Sequence, residues 1–264
     1  MISRVLAVAM TAAGMTVNAH ADLKITSRMS LPGMQGTEMQ GREMQTTTYI
    51  KGSKQRIETT MNGMVMTAVI SDCESGKTVM LMPMQHAYMV QGQGGAKPST
   101  SAPDGVAKSG SASASVNVKP MNESKQIAGY AAKHASVEIK TSGTNGCGEN
   151  SDVQIDGWYA QLPEKPACFK PGWANRMAGE RSGRCKIDFN ESDLKPMLQL
   201  GYPMEQTVSF DGDGGEGGSM TIAVESVETT TLDPALFEVP RDYHQVKTMG
   251  GFTGSGSGRP PMPE

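Results

Sequence analysis

Methionine is the residue type through which this chain has most chemistry to offer. Of its 21 methionines, eleven fall between Met29 and Met89. On strand spacing Met64 and Met66 share a face, as do Met80, Met82 and Met84. Three chemistries suit such faces. Met can fill irregular core space, because its side chain is unbranched and adaptable. It can line a cavity for acyl chains or other apolar ligands. It can also offer thioethers to a soft metal such as Cu(I), with Met84, His86 and Met89 as the set that includes a nitrogen ligand. Alternation along a strand works against the third, since it spreads thioethers along a face.

Nothing else in the sequence assembles into a catalytic pattern. His86, His134 and His244 are each isolated, and no Ser/His/Asp order, Cys/His pair or H-E-x-x-H helix occurs. Asp211-Gly-Asp-Gly-Gly-Glu216 lacks the spacing and distal bidentate Glu of an EF-hand, so it reads as a Gly-rich turn. Cys73, Cys147, Cys168 and Cys185 form an even set without a C-x-x-C pair, which reads as two disulfides. Three connectivities are open, and Cys168–Cys185 with Cys73–Cys147 closes one local loop. Lys54 and Arg56 could meet an anionic head group, or could simply be a solvated strand face.

The address agrees with the disulfides. Arg4, the apolar run 5–17 and Ala19-His20-Ala21 fit the three regions of a secretory signal peptide cleaved after Ala21. The expectation is an exported, periplasmic protein with no transmembrane segment in the mature chain, since the apolar run is too short to span a bilayer. A net charge of −3 predicts no nucleic-acid partner.

The elements that must carry the methionines are strands. Residues 22–29, 44–50, 55–60, 64–71, 78–82 and 86–91 alternate or are β-favouring, with turns between them. Asn62-Gly63 is the strongest hairpin signal. Residues 92–124 are rich in Gly, Ser, Ala, Lys and Pro and are expected to form a flexible insertion. Strands resume at 132–139, 153–161, 206–210 and 220–231. A short helix is expected over 193–200, capped by Ser192 or Asp193 and stopped by Gly201, with Pro196 in its first turn. Residues 248–264 read as a disordered tail.

Several motifs carry a resemblance. Tyr49-Ile50-Lys51-Gly52 with Lys54, Arg56 and Glu58 opens the series. Lys77-Thr78-Val79 through Pro83 and Tyr88, then Ile127-Ala128-Gly129-Tyr130, Trp158-Tyr159-Ala160 and Leu236-Phe237-Glu238-Val239-Pro240 follow. In this order they resemble a family of exported bacterial domains of unknown function, itself similar to the LolA/LolB lipoprotein-carrier fold. The resemblance implies a mainly β chain. Its fold would be an antiparallel incomplete (half) β-barrel of LolA/LolB type, with one or two short helices over an open concave face. It would be one domain over residues 22–247. The insertion at 92–124 and the four cysteines depart from the family pattern. The function implied is non-enzymatic: binding of a lipid, lipoprotein or other apolar ligand on a concave face lined by Met64, Met66, Met80, Met82 and Met84, with no cofactor. A periplasmic copper(I)-handling protein and a structural or assembly protein of the cell envelope are the alternatives.

Overall fold

A computed structural model describes residues 22–30, 44–91, 110–143, 151–164, 185–189, 191–210 and 218–246. The chain is mainly β. Six strands come first: β1 (Asp22–Ser30), β2 (Met44–Lys51), β3 (Lys54–Met61), β4 (Met64–Asp72), β5 (Lys77–Met82) and β6 (Ala87–Gln91). Next are β7 (Gly110–Ile127), β8 (Tyr130–Gly143), β9 (Ser151–Ala160) and β10 (Cys185–Phe189). One helix, α1 (Glu191–Gln199), precedes β11 (Tyr202–Phe210) and β12 (Gly218–Thr230). A 3-10 turn, Pro234–Phe237, leads to β13 (His244–Gln245).

All described strands join one sheet, in the order β10-β7-β8-β9-β11-β12-β1-β2-β3-β4-β5-β6-β13. The two ends do not pair, so the sheet is open. It is mixed, not purely antiparallel: β10 runs parallel to β7, and β13 parallel to β6. Both parallel pairs lie at the margins, where a segment returning from far along the chain joins an edge.

Local chemistry explains the tight connections. Asn62 and Gly63 both have positive φ (52° and 78°), as a two-residue hairpin between right-twisted strands requires. Ala128 and Gly129 do the same between β7 and β8, so Ile127–Tyr130 is a hairpin tip. The expected flexible insertion is strand from Gly110 onward. Its few apolar residues explain this: Ala114, Val116 and Val118 face Thr141, Ile139 and Val137 of β8, and alternating small residues suffice when the partner strand supplies the bulk. Residues 92–109, and residues 1–21 and 248–264, where a leader and a tail are expected, lie outside the described residues.

Strand pairing propagates one face across the sheet. On that face Leu23, Ile25 and Ile50 pack with Met204 and Val224 as one buried cluster. Further along, Val137, Ile139, Val153, Ile155 and Val208 form a second, covered by Met197 of α1 and by Leu200. Pro196 lies inside this helix, past its first turn, where it removes one intrahelical hydrogen bond. The helix starts at Glu191, so Ser192 and Asp193, expected as its cap, lie instead within its first turn. A third cluster lies on the opposite face of β4 to β6. There Ala68, Ile70, Val79 and Leu81 are covered by Leu232 and Phe237 from the segment after β12. That segment is a strap. It crosses β3 to β6 and ends as β13, with the His244 and Val246 amides donating to the His86 and Tyr88 carbonyls at 2.9 and 2.8 Å.

Candidate functional site

The face that carries the Leu23 cluster continues over β2 to β6, and there it changes character. Register places its residues in rows across the strands. Ile25, Thr48, Ile57, Val69, Met80 and Met89 form one row. Ser27, Thr46 and Thr59 form the next, with Thr67 opposite Thr59. Met29, Met44, Met61 and Met64 form the last, at the strand ends. Ile57, Val69, Met80, Met82 and Met89 are half-buried, and none belongs to any of the three buried clusters. Among the described residues, then, the face is core under α1 and beside β1, but over β3 to β6 its apolar residues are half-buried and lie outside the three clusters. The Thr46 Oγ1 in the middle row is buried and has no hydrogen-bond partner. An unpaired buried hydroxyl costs about 1–3 kcal/mol unless something satisfies it.

The five methionines expected to line this face divide. Met80 and Met82 lie on it, with Met89 directly opposite Met80. Met64 lies at its rim and is 58% exposed. Met66 sits at a bulge, where Thr59 pairs with Thr67 and Thr60 with Val65, so simple alternation does not describe its side. Met84 is off the face altogether. Pro83 has no amide hydrogen for the ladder, so β5 ends at Met82 and Met84 falls in a 3-10 turn, 71% exposed. The Met84–His86–Met89 set therefore does not converge. The His86 Nδ1 instead lies 2.8 Å from the Asp242 carboxylate, which this hydrogen bond, the largest influence on it, holds below the usual carboxylate range.

Two polar groupings stand on the opposite face. In the first, Arg56 Nε donates to Glu58 Oε1 at 2.8 Å, and its Nη1 donates to the Leu236 carbonyl at 2.8 Å. Tyr49 Oη donates to the same carboxylate at 3.4 Å. Burial, then the Glu58 charge, raises the Tyr49 hydroxyl pKa. Arg56 and Glu58 are only 14% and 15% exposed. Arg56 is therefore neither a head-group contact nor part of a solvated face. Alternating residues of β3 share a side, and this side lies under the strap.

The second grouping surrounds Trp158. The His134 ring stacks on the indole, centroids 4.5 Å apart and planes 8° from parallel, and Lys125 Nζ lies 4.4 Å from the indole centroid. His134 Nδ1 lies 2.8 Å from Glu123, and its Nε2 lies 3.1 Å from Asp156. Burial, the largest single influence, opposes the charged imidazole, but the two carboxylates together outweigh it and raise the His134 pKa. Lys125 is itself held by Glu205 at 2.9 Å. These contacts satisfy one another across β7, β8, β9 and β11.

Cys73, in the β4–β5 turn, is disulfide-bonded, and its amide donates to the Ser53 carbonyl at 2.9 Å. Its partner, and with it the expected pairing of Cys147, Cys168 and Cys185, lies outside the described side chains. So does the Asp211–Glu216 turn. No group of three His, Cys, Asp or Glu side chains suited to a metal occurs among the described residues, and no helix among them is long and apolar enough to cross a membrane.

No protein-family model matches the chain, and no curated protein matches it. Function must therefore be argued from the face itself.

Proposed function

We propose that this chain is an exported, non-enzymatic protein of the bacterial envelope that binds a lipid, a lipoprotein acyl chain or a similar apolar ligand on the face of β3 to β6 that carries Met80, Met82 and Met89. One observation carries the reading. Ile57, Val69, Met80, Met82 and Met89 continue a core-forming face, yet they stay half-buried and join none of the three buried clusters of described residues. A contiguous apolar surface of this kind is a binding surface more often than an idle one. Its methionines can reshape around chains of differing length. The resemblance to the LolA/LolB fold supports the reading, as does the secretory pattern at the N-terminus. It is an analogy of fold, and the specificity rests on the face.

The test uses the chain expressed with its leader and purified from a periplasmic extract without detergent. Native mass spectrometry should show copurified lipid, and an environment-sensitive apolar dye should brighten on binding. Met80→Glu with Met89→Glu should abolish both, because two carboxylates would then be desolvated against an apolar chain. Absence of copurified lipid together with absence of dye uptake by the unmodified protein would end the proposal.

A further inference from the structure

We infer that the row Met29, Met44, Met61 and Met64 holds a binding site for a soft monovalent cation, Cu(I), centred on Met61 with Met44 and Met64 beside it and Met29 next in the row, distinct from the apolar face proposed above. These four side chains are directly opposite one another on four consecutive strands, β1 to β4. They lie on one side of the sheet, since Met29, Met44 and Met61 each keep the alternation of Leu23, Ile50 and Ile57 on their own strands. Directly opposed residues have Cβ atoms about 5 Å apart, and neighbouring strands are about 4.8 Å apart. Met44 and Met64 flank Met61 at that spacing. Three rotatable bonds in each let the sulfurs lean together over the central strand. Thioethers select Cu(I) over divalent cations of harder character.

Core filling explains this row less well. The row beside it is Ser27, Thr46 and Thr59, so hydroxyls separate the four methionines from the Leu23 and Ile25 cluster. None of the four belongs to a buried cluster, and Met64 is largely exposed. The row lies at the strand ends, beside the Asn62-Gly63 turn, where an ion can reach it without crossing the sheet. Neither His86 nor a carboxylate is in this row. The site is all-thioether, which binds Cu(I) without requiring a proton to leave, so affinity should be nearly independent of pH between about 5 and 8.

The experiment is an anaerobic titration of the full chain, stripped of lipid, with Cu(I) kept reduced by ascorbate and contested by bicinchoninate. The unmodified protein should withdraw copper from the chelator. Met44→Leu with Met61→Leu should weaken binding at least about tenfold. Met84→Leu, in the exposed turn, should not change it. A second measurement does not depend on the variants folding. Ag(I), a redox-inert soft analogue, should shift the methyl signals of Met29, Met44, Met61 and Met64 in methionine-labelled protein, and leave those of Met80, Met82 and Met89 in place. Failure to compete with the chelator, wild-type affinity in a folded double Leu variant, or silver shifts spread evenly over all methionines would each overturn the assignment.

Discussion

Arg56→Met should be among the most damaging conservative changes in this chain, and the reason is countable. The substitution keeps the aliphatic stem and removes two charge-assisted bonds, one to Glu58 and one to the Leu236 carbonyl. Breaking a buried ion pair from one side costs about 3–5 kcal/mol, because the other charge is left desolvated. Glu58 is 15% exposed, so some water reaches it and the low end, about 3 kcal/mol, applies. The orphaned carbonyl adds about 1 kcal/mol. The total of about 4 kcal/mol corresponds to a fall of roughly 8–16 °C in Tm for a domain of this size.

The reasoning makes a sharper demand on the double variant. Glu58→Leu in the Arg56→Met background removes the stranded carboxylate. Replacing both partners by apolar groups is close to neutral, so the shares of the carbonyl and of the Tyr49 hydroxyl that loses Glu58, about 1 kcal/mol each, should remain. The added mutation should thus restore about 2 kcal/mol. Urea unfolding measures this, provided the m-value is unchanged between variants. A double variant no more stable than Arg56→Met alone would refute the network as described, and so would a single-variant cost below about 1 kcal/mol.

Two further outcomes follow from the geometry. The His134 pKa is raised in the folded state above its ordinary 6.5, so its ion pairs add stability below that value and lose it as pH rises through the folded pKa. The urea midpoint gap between wild type and His134→Gln should therefore narrow from pH 5 to pH 8, and a gap that is flat or widens with pH would contradict the pairing with Glu123 and Asp156. Gly201 has φ +101°, and a Cβ there would sit 2.5 Å from the Ala160 carbonyl oxygen, whereas Gly52 has φ +56° and open space around it. Gly201→Ala should cost about 3 kcal/mol or more and Gly52→Ala about 1 kcal/mol, with equal Tm losses sinking the argument.

Alternation and turn chemistry made most strands legible from the sequence. Asn62-Gly63 placed the β3–β4 hairpin, and the Thr-rich run placed β2. What escaped was anything set by partners distant in sequence. Residues 110–124 carry too little apolar surface to look like a strand until the bulk of Val137 and Ile139 is set opposite them. Arg56 looked solvated because the strap that buries it comes from Leu236, 180 residues later. Met84 looked like the third member of an alternating set because a Pro ending a strand and a Pro at its edge read alike.

The same contrast bears on what the sequence motifs mean. Tyr49, Arg56 and Glu58 belong to one motif, and Leu236 and Phe237 to the last one. In the structure the two ends of the series touch: Arg56 binds the Leu236 carbonyl, and Phe237 seals the cluster containing Ile70 and Leu81. Ile127–Tyr130 is a positive-φ hairpin tip, and Trp158 is held among His134, Lys125 and their carboxylates. These motifs thus have structural reasons for their residue types away from the apolar face, whereas the motif Lys77 to Pro83 carries Met80 and Met82 on it. A resemblance built on them can speak for the fold and is silent on the ligand. The row at the strand ends is different: its members follow no motif. Met29, Met44, Met61 and Met64 are unevenly spaced along the chain and meet only through strand register. Register therefore links these residues in a way that no linear motif could.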